Sequence, residues 1–137
     1  MRKLFTGLAA LLMLAIVAQF FLAAVGAFDS APTEEAFAPH RLLGYSMLVL
    51  AVLATIIGAV ARMPGQLIGR AGLVVGLVIV QVLIREIAKA IGDGSTAGPL
   101  VFGLHALNAL FIMGVAESVL RRSRQTLEPA KTDRLVS

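Results

Sequence analysis

The chain contains no cysteine. That absence removes disulfides, zinc–thiolate sites, iron–sulfur clusters and any four-helix thiol oxidase coupled to quinone, and it leaves redox compartment unreadable from thiols. No aspartate falls inside an apolar run, so a Ser-His-Asp arrangement has no buried place to form. The first apolar run carries no acid at all, which argues against a small multidrug-type exporter. Histidine is nearly absent as well: His40 and His105 are the only two, and Glu86 stands at no recognisable metal-ligand spacing from either.

What the chain does contain is apolar surface. Hydrophobic residues make up 58% of its 137 positions, with a mean hydropathy of +0.91. A soluble domain of this size has no interior large enough for that, so the chain is expected in a lipid bilayer. A formal charge of +4 is compatible with nucleic acid binding, but the basic residues sit at the ends of apolar runs rather than in one solvated patch. They are a topology signal, and nucleic acid is excluded as a partner.

Four apolar runs define four spans, at about residues 4–28, 40–61, 67–91 and 99–122. The first follows Arg2-Lys3 and ends in small residues, as a cleavable signal would. It exceeds the usual 7–15-residue apolar core of a signal, so it is expected to remain as the first helix. Residues 29–39, with Asp29, Glu34, Glu35 and two prolines, are expected as a loop, and Pro39 suits a helix start. Residues 123–137 form a polar tail with little to pack against. Arg2, Lys3, Arg62, Arg70, Arg121 and Arg122 gather on one side. The positive-inside rule then places both termini in the cytoplasm, and short loops make an all-α, up-down-up-down four-helix bundle. No tandem repeat is visible.

The polar residues inside the spans are unevenly placed. Gln19, His40, Gln81, Arg85, Glu86, Lys89, His105 and Asn108 all fall in the outer halves, leaving the inner halves almost purely apolar. Polar groups in hydrocarbon are costly and mark a bundle interior, a wet pocket or a cofactor. His105 and Asn108 share a helical face. His40, Gly44, Met47, Ala51, Ala54 and Gly58 form another, on which small side chains let backbones or a flat macrocycle approach. Gln81, Arg85 and Lys89 form a stripe, with Glu86 able to pair with Lys89 at i, i+3. Gly72 and Gly76 have the spacing of a close helix contact.

Two histidines on parallel spans, small residues beside them and basic groups nearby fit a b-type haem. His40 and His105 would be its axial ligands, Gly44 and Met47 would give room, and Arg85, Lys89 and Arg41 would meet the propionates. Such a site transfers electrons rather than binding oxygen. Counted from the arginines at the inner ends, however, His40 lies 22 residues above Arg62 and His105 lies 16 above Arg121, a depth difference of about 9 Å. If that offset were real, His105 would ligate alone, with Met47 or an external group opposite. Two other roles suit the same residues: a polar network locking the bundle, or a site for lipid, quinone or a partner protein in a non-catalytic accessory subunit. The chain is not expected to be an enzyme on its own. A homo-oligomer or a larger membrane complex is compatible with each.

The combination Pro39-His40-Arg41-Leu42-Leu43-Gly44, Gln81 and Leu104-His105-Ala106-Leu107-Asn108-Ala109 resembles an uncharacterised family of small four-helix bacterial membrane proteins of the actinobacterial type. The resemblance covers nearly the whole chain except the tail. It implies the four-helix fold, a multi-pass place in the bacterial cytoplasmic membrane, and weight on His40, Gln81, His105 and Asn108. It implies no activity. In architecture alone the chain is loosely similar to four-helix b-type cytochromes.

Overall fold

A computed structural model describes residues 1–92 and 94–127. The chain forms α1 (Arg2–Phe28), α2 (Thr33–Ala36), α3 (Ala38–Val60), α4 (Gly65–Ile91) and α5 (Ala97–Gln125), with no strand among the described residues. All but α2 are long and apolar enough to cross a membrane. The spans expected from sequence are therefore present, each starting two residues early. Two features differ from expectation. The loop at 29–39 contains the one-turn helix α2, opened by Pro32 and carrying Glu34 and Glu35 in its first turn, where acids suit the positive end of a helix dipole. The last helix continues to Gln125, three residues into the expected tail, and Ser123 is fully buried. Residues 128–137 of that tail lie outside the described residues.

Each long helix buries one narrow stripe and turns the rest outward. On α3 the buried residues are Met47, Ala51, Ala54 and Gly58, and on α4 the run Leu67, Ala71, Val74 and Val78 is buried, with Ala88 near its end. Both runs alternate spacings of four and three, the seam of a left-handed bundle. Leu11, Leu14, Phe21, Leu53, Leu83 and Phe111 are among the many large side chains left exposed on the opposite faces, where a bilayer is their natural solvent. Small seam residues set the closeness of approach. A Cβ at Gly58 would stand 2.9 Å from the Phe5 ring, so this glycine is what lets the fully buried Phe5 lock α1 onto α3. The Gly72/Gly76 spacing on α4 makes no such contact. A Cβ at Gly72 would meet only Thr55, at 3.9 Å, and one at Gly76 would meet nothing within 4 Å: Gly72 sits at the margin of the α3 contact and Gly76 is exposed.

The turn between α3 and α4 closes by main-chain bonds. Arg62 takes φ 50°; its N–H donates to Ala59 and that of Met63 to Gly58, both at 3.0 Å, the pairing that satisfies the last carbonyls of a helix. Around the bundle, α1 packs on α3 and α5, and α4 packs on the same two, while across the diagonals the main chains stay apart among the described residues and side chains alone meet. Helices α3 and α5 thus face each other across the centre, and they carry the two histidines.

Candidate functional site

The site is a polar layer to which every long helix contributes: Gln19 from α1, His40 from α3, Gln81 from α4, and His105 with Asn108 from α5. Gln19 lies seventeen residues along from Arg2 and Gln81 sixteen from Gly65, while His40 and His105 each lie twenty residues before the last residue of their helices. The depth offset counted from Arg62 and Arg121 is therefore absent. Arg62 stands beyond the end of α3 and Arg121 four residues inside the end of α5, so the two arginines are not equivalent marks. The imidazole centroids are 6.2 Å apart with their planes tilted by 44°, and both rings are half-buried.

The hydrogen bonds of the two rings match. His40 Nδ1 is 3.2 Å from the backbone carbonyl of Gln19, and His105 Nδ1 is 3.2 Å from that of Gln81. A carbonyl only accepts, so each ring donates from Nδ1 and keeps its lone pair on Nε2. Neither Nε2 has a hydrogen-bond partner among the described residues. A backbone carbonyl on one ring nitrogen and a free lone pair on the other is the usual state of a metal-ligating histidine. Each ring also has a phenylalanine three residues earlier. Phe102 stacks on His105 at 5.1 Å and 14°, and Phe37 stands edge-on to His40 at 6.1 Å and 89°.

The side-chain amides differ between the two halves. Gln81 Nε2 donates to the carbonyl of His105 at 2.8 Å. Asn108 Nδ2 donates both to Gln81 Oε1 at 2.6 Å and to the carbonyl of Leu77 at 2.8 Å, and Asn108 is buried. On the other side, Gln19 Oε1 is buried without a partner, and its Nε2 lies over Gly44, where a Cβ would stand only 2.9 Å from it.

Above this layer, basic side chains converge on Glu34 of α2. Arg41 Nη1, Arg85 Nη2 and Lys89 Nζ each reach its carboxylate at 3.3 Å, and Arg41 also donates to its backbone carbonyl. The Glu34 carboxyl is held below its ordinary 4.5, first by the Lys89 hydrogen bond and then by the charges of Lys89, Arg41 and Arg85. Glu86 pairs with its neighbour Arg85 rather than with Lys89 as the i, i+3 spacing suggested, because Glu34 draws Lys89 over the end of the bundle.

Of the residues singled out in the sequence, His40, His105, Gln81 and Asn108 meet in the polar layer, Gly44 lies beside it, and Arg85 and Lys89 stand above it. Met47 does not join them. It is two turns, about 10 Å, along α3 from His40, buried among Leu12, Ala51, Val78 and Ile112 in the apolar core. Glu34 and Gln19 belong to the cluster but were not expected to define it. A signal for the pairing was present: Phe37-Ala38-Pro39-His40-Arg41-Leu42 and Phe102-Gly103-Leu104-His105-Ala106-Leu107 share Phe-x-x-His-x-Leu, too short to register as a repeat until the structure sets the two segments face to face. No group of three or more metal-binding side chains occurs among the described residues.

These features describe a small four-span membrane protein with a paired-histidine layer near one end. Over residues 19–88 the chain matches a family of unknown function (DUF6220), and it belongs to that family. The match begins at Gln19 and takes in His40, Gly44, Gln81 and Arg85. Comparison with curated proteins and with solved structures finds no match.

Proposed function

We propose that the chain is a small haem-b protein of the bacterial cytoplasmic membrane, with its termini in the cytoplasm, that passes electrons near the outer face to a quinone or a protein partner. The observation that carries this reading is the facing pair of Nδ1-donating histidines. His40 and His105 would both hold one iron through Nε2; a metal–nitrogen distance of about 2 Å with roughly 1 Å more to each ring centre would suit rings about 6 Å apart. The rings here stand 6.2 Å apart.

Other residues support a fit. The unpartnered Gln19 Oε1 and the missing side chain at Gly44 leave the α1–α3 side of the layer able to rearrange around a ligand. Arg41, Arg85 and Lys89 already hold a carboxylate, that of Glu34, so their geometry suits the propionate groups. His40 and His105 would hold the iron through Nε2 while the carbonyls of Gln19 and Gln81 fix the rings and raise their basicity. When bound, the haem supplies one-electron transfer; the chain orients it, excludes water and balances its charge.

The test is an absorption spectrum of the purified protein, with haem supplied during expression or by reconstitution. A Soret band and a reduced-state α band are expected, and His40→Ala and His105→Ala should each abolish the six-coordinate spectrum. Protein that stays colourless after reconstitution overturns the proposal. The Gln81–Asn108 bonds favour a second role, a polar lock in a non-catalytic accessory subunit. It expects no chromophore and co-purification of a lipid, a quinone or a partner protein.

A further inference from the structure

At the opposite end of the bundle, where α1 begins and α5 ends, α4 and α5 enclose an open cleft of about 340 Å³. Arg70 of α4 and Arg121 and Arg122 of α5 line it, and Leu73 and Val115 form its apolar wall. Gly114 adds room, since a Cβ there would meet nothing within 4 Å. Arginines at the end of a spanning helix are ordinary interfacial anchors, which accounts for their presence but not for their state. Arg70 Nη1 is buried and has no hydrogen-bond partner among the described residues, a costly condition for a charged donor. Glu117 takes up Arg121 through Nε at 3.2 Å, so the cleft keeps a net positive charge.

We propose that this cleft binds the phosphodiester headgroup of an anionic phospholipid. The headgroup sits against Arg70 and Arg122, and the start of an acyl chain lies along Leu73 and Val115. The chemistry is that of basic pockets between spanning helices, which recognise lipid headgroups from the membrane side. Guanidinium groups give charge-assisted, often bidentate bonds to phosphate oxygens. Leu73, half-exposed on the outer surface, makes the cleft continuous with the lipid-facing side of the bundle. A soluble phosphate would use only the arginines, whereas a lipid uses both walls. The proposal is independent of haem.

The experiment uses the full chain in a zwitterionic detergent, titrated separately with phosphatidylglycerol, phosphatidylcholine and inorganic phosphate. Thermal stability and native mass spectrometry are the readouts. Phosphatidylglycerol is expected to raise the melting temperature and to remain as a one-to-one adduct, the other two to do neither. Arg122→Gln, at an exposed position that does not threaten folding, should weaken the effect about tenfold, as should Arg70→Gln. Lys3→Gln, at the same end but outside the cleft, should leave it unchanged. An equal response to phosphatidylcholine, an equal response to inorganic phosphate, or an equal loss in Lys3→Gln would each overturn the proposal. They would point respectively to the acyl chains alone, to a soluble anion, and to diffuse charge.

Discussion

The two halves of the polar layer share a plan and differ in how completely it is satisfied. In each, a histidine following a phenylalanine by three residues donates from Nδ1 to the carbonyl of a glutamine on the neighbouring helix, at the same 3.2 Å. The α4–α5 half then finishes its hydrogen bonding, with Gln81 bonded to the main chain of α5 and Asn108 to both Gln81 and Leu77. The α1–α3 half has Leu43 at the position equivalent to Asn108, three residues after its histidine, Gly44 leaves room beside it, and Gln19 Oε1 goes without a partner. A fully bonded network fixes geometry, whereas a buried orphan acceptor lowers stability and persists where something else uses it. Under the proposed haem reading, the α4–α5 half would hold the layer in register and the α1–α3 half would make room for the ligand.

The strongest way to break that comparison is to fill the open half. A leucine at Gly44 would overlap the Gln19 amide, whose flexible end can move aside, so the bundle should still assemble. The space beside His40 would be lost. Overpacking of about 1–3 kcal/mol corresponds to haem uptake weaker by roughly five- to 150-fold, read from the Soret absorbance at fixed protein concentration. Unchanged uptake would show that the α1–α3 half is not the ligand side.

The next test sets one amide against the other. Asn108→Leu leaves Gln81 Oε1 without its donor and removes the second bond to the Leu77 carbonyl, so it should destabilise the bundle by about 1–2 kcal/mol in a denaturant titration followed by circular dichroism. Gln19→Leu removes an acceptor that has no partner, and its effect on stability should be neutral or slightly favourable. Equal losses in both variants would erase the distinction between the halves.

How far this arrangement was legible in the sequence follows from the length of each signal. The spans are written in runs of twenty or more apolar residues, and the face from His40 to Gly58 read as small-residue packing is the buried seam of α3. The convergence of His40, Gln81, His105 and Asn108 at one end was also readable, because charge placement ordered the helices. Depth was not. The arginines used as rulers occupy different places relative to their helix ends, and only the structure shows that α5 runs on to Gln125. The role of Glu34 was hidden because ion pairs spanning fifty residues of sequence leave no periodicity. The opposite charges of the 29–39 segment and the Arg85–Lys89 stripe were the only hint. Gln19 was visible as a polar residue, but its use of a backbone carbonyl to hold His40 depends on position rather than residue type.

Glu34 gives the smallest effect and the one that joins the halves, because it ties Arg41 of α3 to Arg85 and Lys89 of α4 across the end of the bundle. Its carboxyl is held below the ordinary 4.5, chiefly by Lys89. On acidification the unfolded chain therefore takes up the proton first, and stability falls as the pH drops below 4.5 and through the lower folded value. The contribution is present in full above that window and absent below it. Glu34 is exposed, so the loss should be modest and screened by salt. Melting curves collected from pH 6 to pH 3 should show an acid limb in the wild type that is reduced in Glu34→Gln. If the limb is the same in both, the clasp does not couple the halves, and each must be held by its own glutamine–histidine pair.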